Sequence, residues 1–398
     1  MEGHIHEWLN LLVRWIHVIV GIAWIGASFY FNWLENNLNR KAPQEDGIAG
    51  HLWAVHGGGF YYLKKFKHGP ETLPDNLHWF KWEAYTTWLS GFTLLIIVYY
   101  FNAELFLINP SISNLTPAKA IILGITAIGI SWFIYDLLCK STLKQYPLFL
   151  GILIFTYFGL LSLLLSEVFS GRGAYLHVGA AIGTVMVANV FFVIIPAQKE
   201  MVSALKEKRP LDPIHGQNGL LRSRHNNYLT LPVLFIMVSS HFPSTYGHHW
   251  NWLILIAISL IGIAVRHYFN VRHTIKSLWW ILPVSFVAIT YLMWLTAPPV
   301  FDRGNGLDIS TTTADIFPII QSRCGSCHST TPTQPGFSAP PQGLVFDTPR
   351  DIEINAQRIH NASVTTKTMP IGNLTKMTGE ERQQVANWFI SQSNDKTQ

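Results

Sequence analysis

The chain has 398 residues, of which 13% are charged and 49% hydrophobic, with 15 Trp, 24 Phe and a formal net charge of +5. A soluble domain ordinarily carries about 25% charged residues, so the composition excludes an ordinary soluble globular protein and points to a lipid bilayer as partner. The positive surplus forms no basic stripe or nucleic-acid-reading motif, which excludes a nucleic-acid partner. It is also uneven, because residues 297–398 hold eight Lys/Arg against nine Asp/Glu.

Crossing a bilayer as a helix takes about 20 apolar residues. Apolar runs occur at 9–31, 83–101, 119–139, 147–165, 174–196, 228–242, 251–269 and 278–296, the sixth being short. No basic segment precedes Arg14 and no small-residue cleavage pattern follows the first run, so the expectation is a first helix that stays in the mature chain. That run carries Arg14 and His17. His17, Gly21, Trp24 and Ser28 recur at helical spacing, which predicts a small, polar face turned into a bundle. The fifth run carries His177, with Gly179 and Gly183 at the spacing for close helix contact. An ionisable group in an apolar run is a functional candidate, the alternative being a hydrogen-bonded packing residue.

Lys and Arg collect in cytoplasmic loops. Segments 32–82 and 197–227 each hold six, and the turns 140–146 and 270–277 hold two each, whereas 102–118 and 243–250 hold none and 166–173 holds only Arg172. Eight spans satisfy this alternation and leave both termini outside. The inner loop 32–82 contains His56-Gly57-Gly58-Gly59-Phe60-Tyr61-Tyr62 and Leu77-His78-Trp79-Phe80-Lys81-Trp82-Glu83. Three glycines let a backbone approach a ligand closely, and the aromatic and His-rich stretch can line a planar ligand. The alternative is an interfacial aromatic belt with snorkelling Lys.

Residues 297–314 read as a linker. Beyond it, TADIFPIIQSRC predicts a short helix, and Thr378 with Glu381 forms a capping-box pattern before QQVANWFI. Between them lies Cys324-Gly-Ser-Cys327-His328. This C-x-x-C-H spacing allows two thioethers to haem vinyl groups while the adjacent His ligates the iron. A zinc or dithiol C-x-x-C is the alternative, and zinc would want two more ligands, with only His360 nearby. The second axial ligand is expected to be Met369, in a loop stiffened by the following Pro, rather than Met377, which precedes a helix cap and reads as packing. Haem c is attached outside the cytoplasm, the side on which the charge alternation puts the tail.

The segments RWIHVIVGIAWIGASFYFNWLE, HGGGFYYLKK, LHWFKWEAYTTWLSG, CGSCH and MPIGNLTKMTGEER together resemble the membrane-bound urate hydroxylases of bacteria, which join a urate oxidase N-terminal membrane domain to a cytochrome c domain. The resemblance covers nearly the whole chain. It implies an all-α fold with a transmembrane helix bundle at 1–296, the linker at 297–314 and a small class I-like cytochrome c domain at 315–398. It implies an oxidoreductase of the bacterial inner membrane, with the cytochrome domain in the periplasm. Urate would be oxidised to 5-hydroxyisourate and electrons passed through covalent haem c to a respiratory acceptor such as a terminal cytochrome oxidase. Cys324 and Cys327 then hold the haem, and His328 and Met369 its iron. For the membrane part the resemblance fixes no catalytic set. A base is needed, and His56, His78, Glu83 and His17 are the candidates. His17, with His177 or His241, is the expected site of a second redox centre, such as a b-type haem, bridging the membrane part and the c haem. The competing reading is a quinol-linked membrane cytochrome acting only in electron transfer, or a haem-handling protein.

Overall fold

The protein is described from a computed structural model covering residues 2–41, 45–67, 69–273, 275–297 and 311–395. The expected linker falls chiefly on 298–310, outside the described residues.

Helix α1 (Glu2–Asn37) is apolar over most of its length and leaves Trp15, Ile19 and Ile22 exposed. Its polar stripe turns inward, with Gly21 buried and His17, Trp24 and Ser28 half-buried. An exposed apolar face of this extent is what a lipid contact requires. The next segment departs from the all-α expectation. Strands β1 (Ile48–His56) and β2 (Gly59–Phe66) pair antiparallel, with His56 opposite Gly59. Gly57 and Gly58 turn the hairpin at φ of 57° and 80°. A tight hairpin turn of this hand requires positive φ at both central residues, which glycine adopts without strain. The glycine run therefore makes a turn, and the aromatic residues after it form a strand.

The bundle continues with α2 (Trp82–Leu94), which runs into a π-helical turn at Leu95–Tyr100. Then come α3 (Pro117–Lys140), α4 (Pro147–Ser166) and α5 (Gly171–Ala188), the last continuing through a π turn (Asn189–Ile194) into Ile195–Lys206. Helices α6 (Pro213–Ser239), α7 (Asn251–Val271) and α8 (Ile281–Leu295) complete it. Pro at the first helical position starts α3, α4 and α6, where its missing N–H costs nothing. Ser170 Oγ accepts from Gly173 N at 3.0 Å to cap α5. Helix α5 is the most enclosed, packed among α3, α4 and α6. A Cβ on Gly179 would lie 2.5 Å from Ile236 Cγ2 of α6, so that glycine is required by the contact, whereas Gly183 faces open space.

Among the described residues six helices are long and apolar enough to cross a membrane: α1, α3, α4, the continuous helix from Gly171 to Lys206, α7, and Ser277–Leu295 around α8. Two of the eight expected spans fall short of that measure. The α-helical part of α2 has only 13 residues. Helix α6 carries Arg222, Arg224, His225, Asn226 and Asn227 in its first half. Buried charge needs partners, and the bundle supplies them. Arg222 donates to Asp136 Oδ1 at 2.7 Å and to Asn189 Oδ1 at 3.3 Å. Asn189 donates to Asn226 Oδ1 at 2.8 Å, and Tyr135 hydroxyl meets His225 Nδ1 at 2.8 Å.

The C-terminal segment has its own apolar cluster, built on Ile316, Ile320, Ile352, Val385 and Trp388. Its helices are α9 (Thr313–Cys324), α10 (Pro349–Ile354), α11 (Ala356–His360) and α12 (Gly379–Asp395). Capping boxes start α9 and α10. At α12, Thr378 N donates to Glu381 Oε2 at 2.7 Å and Glu381 N to Thr378 Oγ1 at 3.2 Å. Glu381 also receives Arg323 at 2.8 Å, tying α12 to α9.

This segment rests on the loops between α2 and α3 and between α6 and α7. A Cβ on Gly372 would sit 3.1 Å from the carbonyl oxygens of Glu104 and Ile108, and one on Gly247 would sit 2.6 Å from Thr368 Cγ2. Ser338 Oγ donates to Glu7 Oε2 at 2.9 Å. A Gly372→Val variant is therefore expected to undock the segment, because it clashes with backbone and strains a residue at φ 58°. Hydrogen exchange over residues 102–109 should rise in that variant, and unchanged exchange would show that this contact does not hold the two parts together.

Candidate functional site

Helix α9 ends on Cys324, and the turn after it is held by Cys327 N and His328 N donating to Cys324 O at 3.1 and 2.9 Å. The His328 ring stacks on Phe346 with centroids 4.8 Å apart. His328 Nδ1 lies 3.0 Å from Leu344 O. A carbonyl only accepts, so Nδ1 carries the proton and Nε2 keeps its lone pair free for a metal. Cys324, Cys327, His328 and Met369 all line one cavity of about 1000 Å³. Met369 is fixed at both ends of its peptide unit: its N donates to Ala362 O at 3.0 Å, and its O accepts from Arg382 Nη1 at 2.9 Å. Met377 is buried in the apolar cluster instead.

The thiols are not poised as thiolates. Burial, and then the neighbouring Cys327, push Cys324 up to about 12, and burial raises Cys327 as well. A redox dithiol needs the opposite shift. Among the described residues no group of three or more His, Cys, Asp or Glu is placed to hold a metal ion. His360, the nearby alternative ligand, stacks on Phe389 at 4.4 Å in the core of the segment. Two protonated thiols, one imidazole lone pair and one thioether around a large cavity form the donor set that a covalently attached haem takes.

The opposite wall of the cavity belongs to the helix bundle. Arg172 from the first turn of α5, His241 after α6, and Tyr246, His248 and His249 before α7 line it. His248 and His249 stack with centroids 4.3 Å apart. Burial, and then His249, hold His248 below the ordinary imidazole range, so it is neutral at pH 7. Sequence reasoning did not single out Tyr246, His248 or His249 as site residues. The available signal was Arg172, the one Lys or Arg in segments 102–118, 166–173 and 243–250.

The other candidates lie elsewhere. His56 is exposed at the hairpin tip, and His78 is exposed and edge-on to Phe80 at 4.5 Å. Glu83 sits in the first turn of α2, its Oε2 buried without a hydrogen-bond partner. His17 Nδ1 donates to Thr87 O at 3.0 Å, with Ser90 Oγ also at 3.0 Å, and its ring fills the space left by Gly91. His177 is fully buried. Its Nδ1 donates to Gly173 O at 2.8 Å, and its Nε2 lies 3.2 Å from the Tyr100 hydroxyl. His17, His177 and His241 thus have separate surroundings, and both nitrogens of His177 are engaged, as a packing histidine's are. A smaller pocket of about 500 Å³, lined by Trp132, Asp136, Lys140, Phe192 and His215, lies at the other end of α3 and α5.

Neither the curated proteins nor the solved structures contain a match to this chain. The urate oxidase N-terminal family matches residues 3–297, the whole helix bundle with its hairpin. The chain belongs to that family.

Proposed function

We propose that the protein is a multi-pass membrane enzyme that oxidises urate to 5-hydroxyisourate and passes the electrons through a haem c, attached at Cys324 and Cys327, to a respiratory acceptor such as a terminal cytochrome oxidase. Family membership supports urate as substrate. The observation that carries the rest is the shared cavity, with the C-x-x-C-H turn and Met369 on one wall and the bundle on the other. The six apolar helices, together with α2 and its π turn and the second half of α6, give eight crossings. The Lys- and Arg-rich loops face the cytoplasm, and the C-terminal segment lies in the periplasm as a cytochrome c domain spanning 315–398.

Urate and one water give 5-hydroxyisourate, two protons and two electrons. When bound, the haem supplies a one-electron acceptor whose potential a thioether ligand raises. The chain's own residues do the rest. Leu344 O orients His328, Phe346 covers its ring, and Arg382 holds the Met369 loop by donating to both Met369 O and Ser363 O.

Four outcomes follow. Denatured protein should retain haem stain on a gel, and replacing both Cys324 and Cys327 by Ala should abolish it; haem extracted by acidified acetone would refute covalent attachment. In the same protein Met369→Ala should change the spin state of the iron, whereas Met377→Ala should lower stability, by about 2–5 kcal/mol for a buried Met truncation, without changing it. Membranes should consume urate with reduction of the haem and without stoichiometric hydrogen peroxide. Peroxide formed one-to-one with urate would mean that oxygen is reduced at the active site. A reporter active only in the periplasm should work when fused after Gln398 and be silent in the hairpin loop at Gly57, and the reverse pattern would sink both the topology and the haem attachment.

A further inference from the structure

The bundle wall of the cavity contains a cation that the haem ligands do not explain. Arg172 lies in the first turn of α5 and lines the cavity. Its Nε is buried without a hydrogen-bond partner. Among the described residues no carboxylate forms an ion pair with it. The guanidinium rests 5.1 Å from the Phe106 ring centroid and 5.8 Å from that of Tyr99. In contrast, Arg222 reaches Asp136 and Asn189, and Arg266 reaches Asn227 at 2.9 Å. A partly buried guanidinium without a counter-charge is costly, and at a helix N-terminus the field adds to its pull on an anion.

We infer that this wall is the substrate subsite, with Arg172 anchoring the urate anion beside the stacked rings of His248 and His249. The inference rests on the urate-oxidation reading and deepens it. Urate is a flat anion rimmed with carbonyl oxygens. The planar fork of an arginine matches such an edge, and aromatic faces suit the ring. Substrate and iron ligands then line one cavity, and electrons need no relay through the bundle. Neutral His248 is available to take one of the two protons released. The smaller pocket fits less well. Its lining includes the carboxylate of Asp136. The continuous helix Gly171–Lys206 also puts about 30 Å between Arg172 and Phe192, at ~1.5 Å per residue.

A carboxylate of the haem itself is the competing anion for Arg172, and the experiment separates the two. Purified holoprotein in detergent, kept reduced so that no turnover occurs, is titrated with urate by calorimetry. The haem midpoint potential is measured on the same samples of wild type, Arg172→Gln and Arg172→Lys. Arg172→Gln should weaken urate binding on the order of 10- to 100-fold, and Arg172→Lys by less, with the potential unchanged in both. Unchanged urate binding in Arg172→Gln overturns the subsite. A shifted potential with unchanged binding also overturns it and assigns Arg172 to the haem carboxylate. If Arg172→Gln does not fold, wild-type affinity in Arg172→Lys overturns it, because a point charge replaces a bidentate fork. If wild type binds urate through Arg172 in the reduced titration but a separate oxidised sample mixed with urate leaves its haem oxidised, the electron route is refuted and the subsite stands. Wild-type protein that binds no urate refutes both.

Discussion

Close backbone approach at Gly247 and Gly372 is the constraint on which the rest of the site depends. Neither position has room for a Cβ against the neighbouring part of the chain. The contacts straddle the loop that presents Met369. Gly247 meets Thr366 O and Thr368 Cγ2 just before that methionine, and Gly372 meets the carbonyls of Glu104 and Ile108 just after it. Docking of the C-terminal segment on the bundle and presentation of the thioether are therefore one structural event. The cavity exists because two separately packed bodies are held face to face at a fixed spacing. Loss of either glycine would move the proposed iron ligand and open the substrate wall together.

The distribution of charge inside the bundle follows from the cost of burying it. At the end of the bundle away from the large cavity, Arg222, Asp136, Asn189, Asn226, Tyr135 and His225 close a network in which each polar group shown has a partner. That network accounts for the polar first half of α6, a helix that composition alone would not send through a membrane. The outer end is built differently. There Arg172 has aromatic neighbours and no carboxylate, and the imidazoles of His248 and His249 face the cavity.

Much of this was legible in the sequence because its physics is local. Apolar runs marked where the long helices lie, although α6 begins well before its run at 228–242, and Thr378 with Glu381 marked the start of α12. The C-x-x-C-H spacing is visible in the sequence, and the structure brings its three residues and Met369 to one cavity. The hairpin was missed because Trp53, Tyr61 and Tyr62 also suit an interfacial belt, and the glycine run reads equally as a ligand loop and as a turn. Only the pairing of His56 with Gly59 decides between them. His17 and His177 looked like candidate ligands because an isolated intramembrane histidine is expensive. The structure supplies the missing partners, Thr87 O and Ser90 for one, Gly173 O and Tyr100 for the other, from helices distant in sequence or from the preceding turn. Tyr246, His248 and His249 could not be found by spacing at all, because what joins them to Cys324 is a contact between two bodies.

Placing the substrate wall, the proposed iron ligands and a neutral imidazole at the same end of the bundle has a consequence for energetics. Under the proposed function and topology, both protons and both electrons leave on the side that carries the C-terminal segment. No charge then has to cross the bilayer during urate oxidation, and the bundle needs neither a proton path nor a redox chain through its length. The hydrogen bonds of His177 agree with that demand, because a histidine engaged at both ring nitrogens is a poor relay and a good strut. The bundle's task becomes geometric: it anchors the chain in lipid through faces such as that of α1 and holds Arg172 at the mouth of α5. It also offers Gly247 as the seat on which the C-terminal segment completes the site.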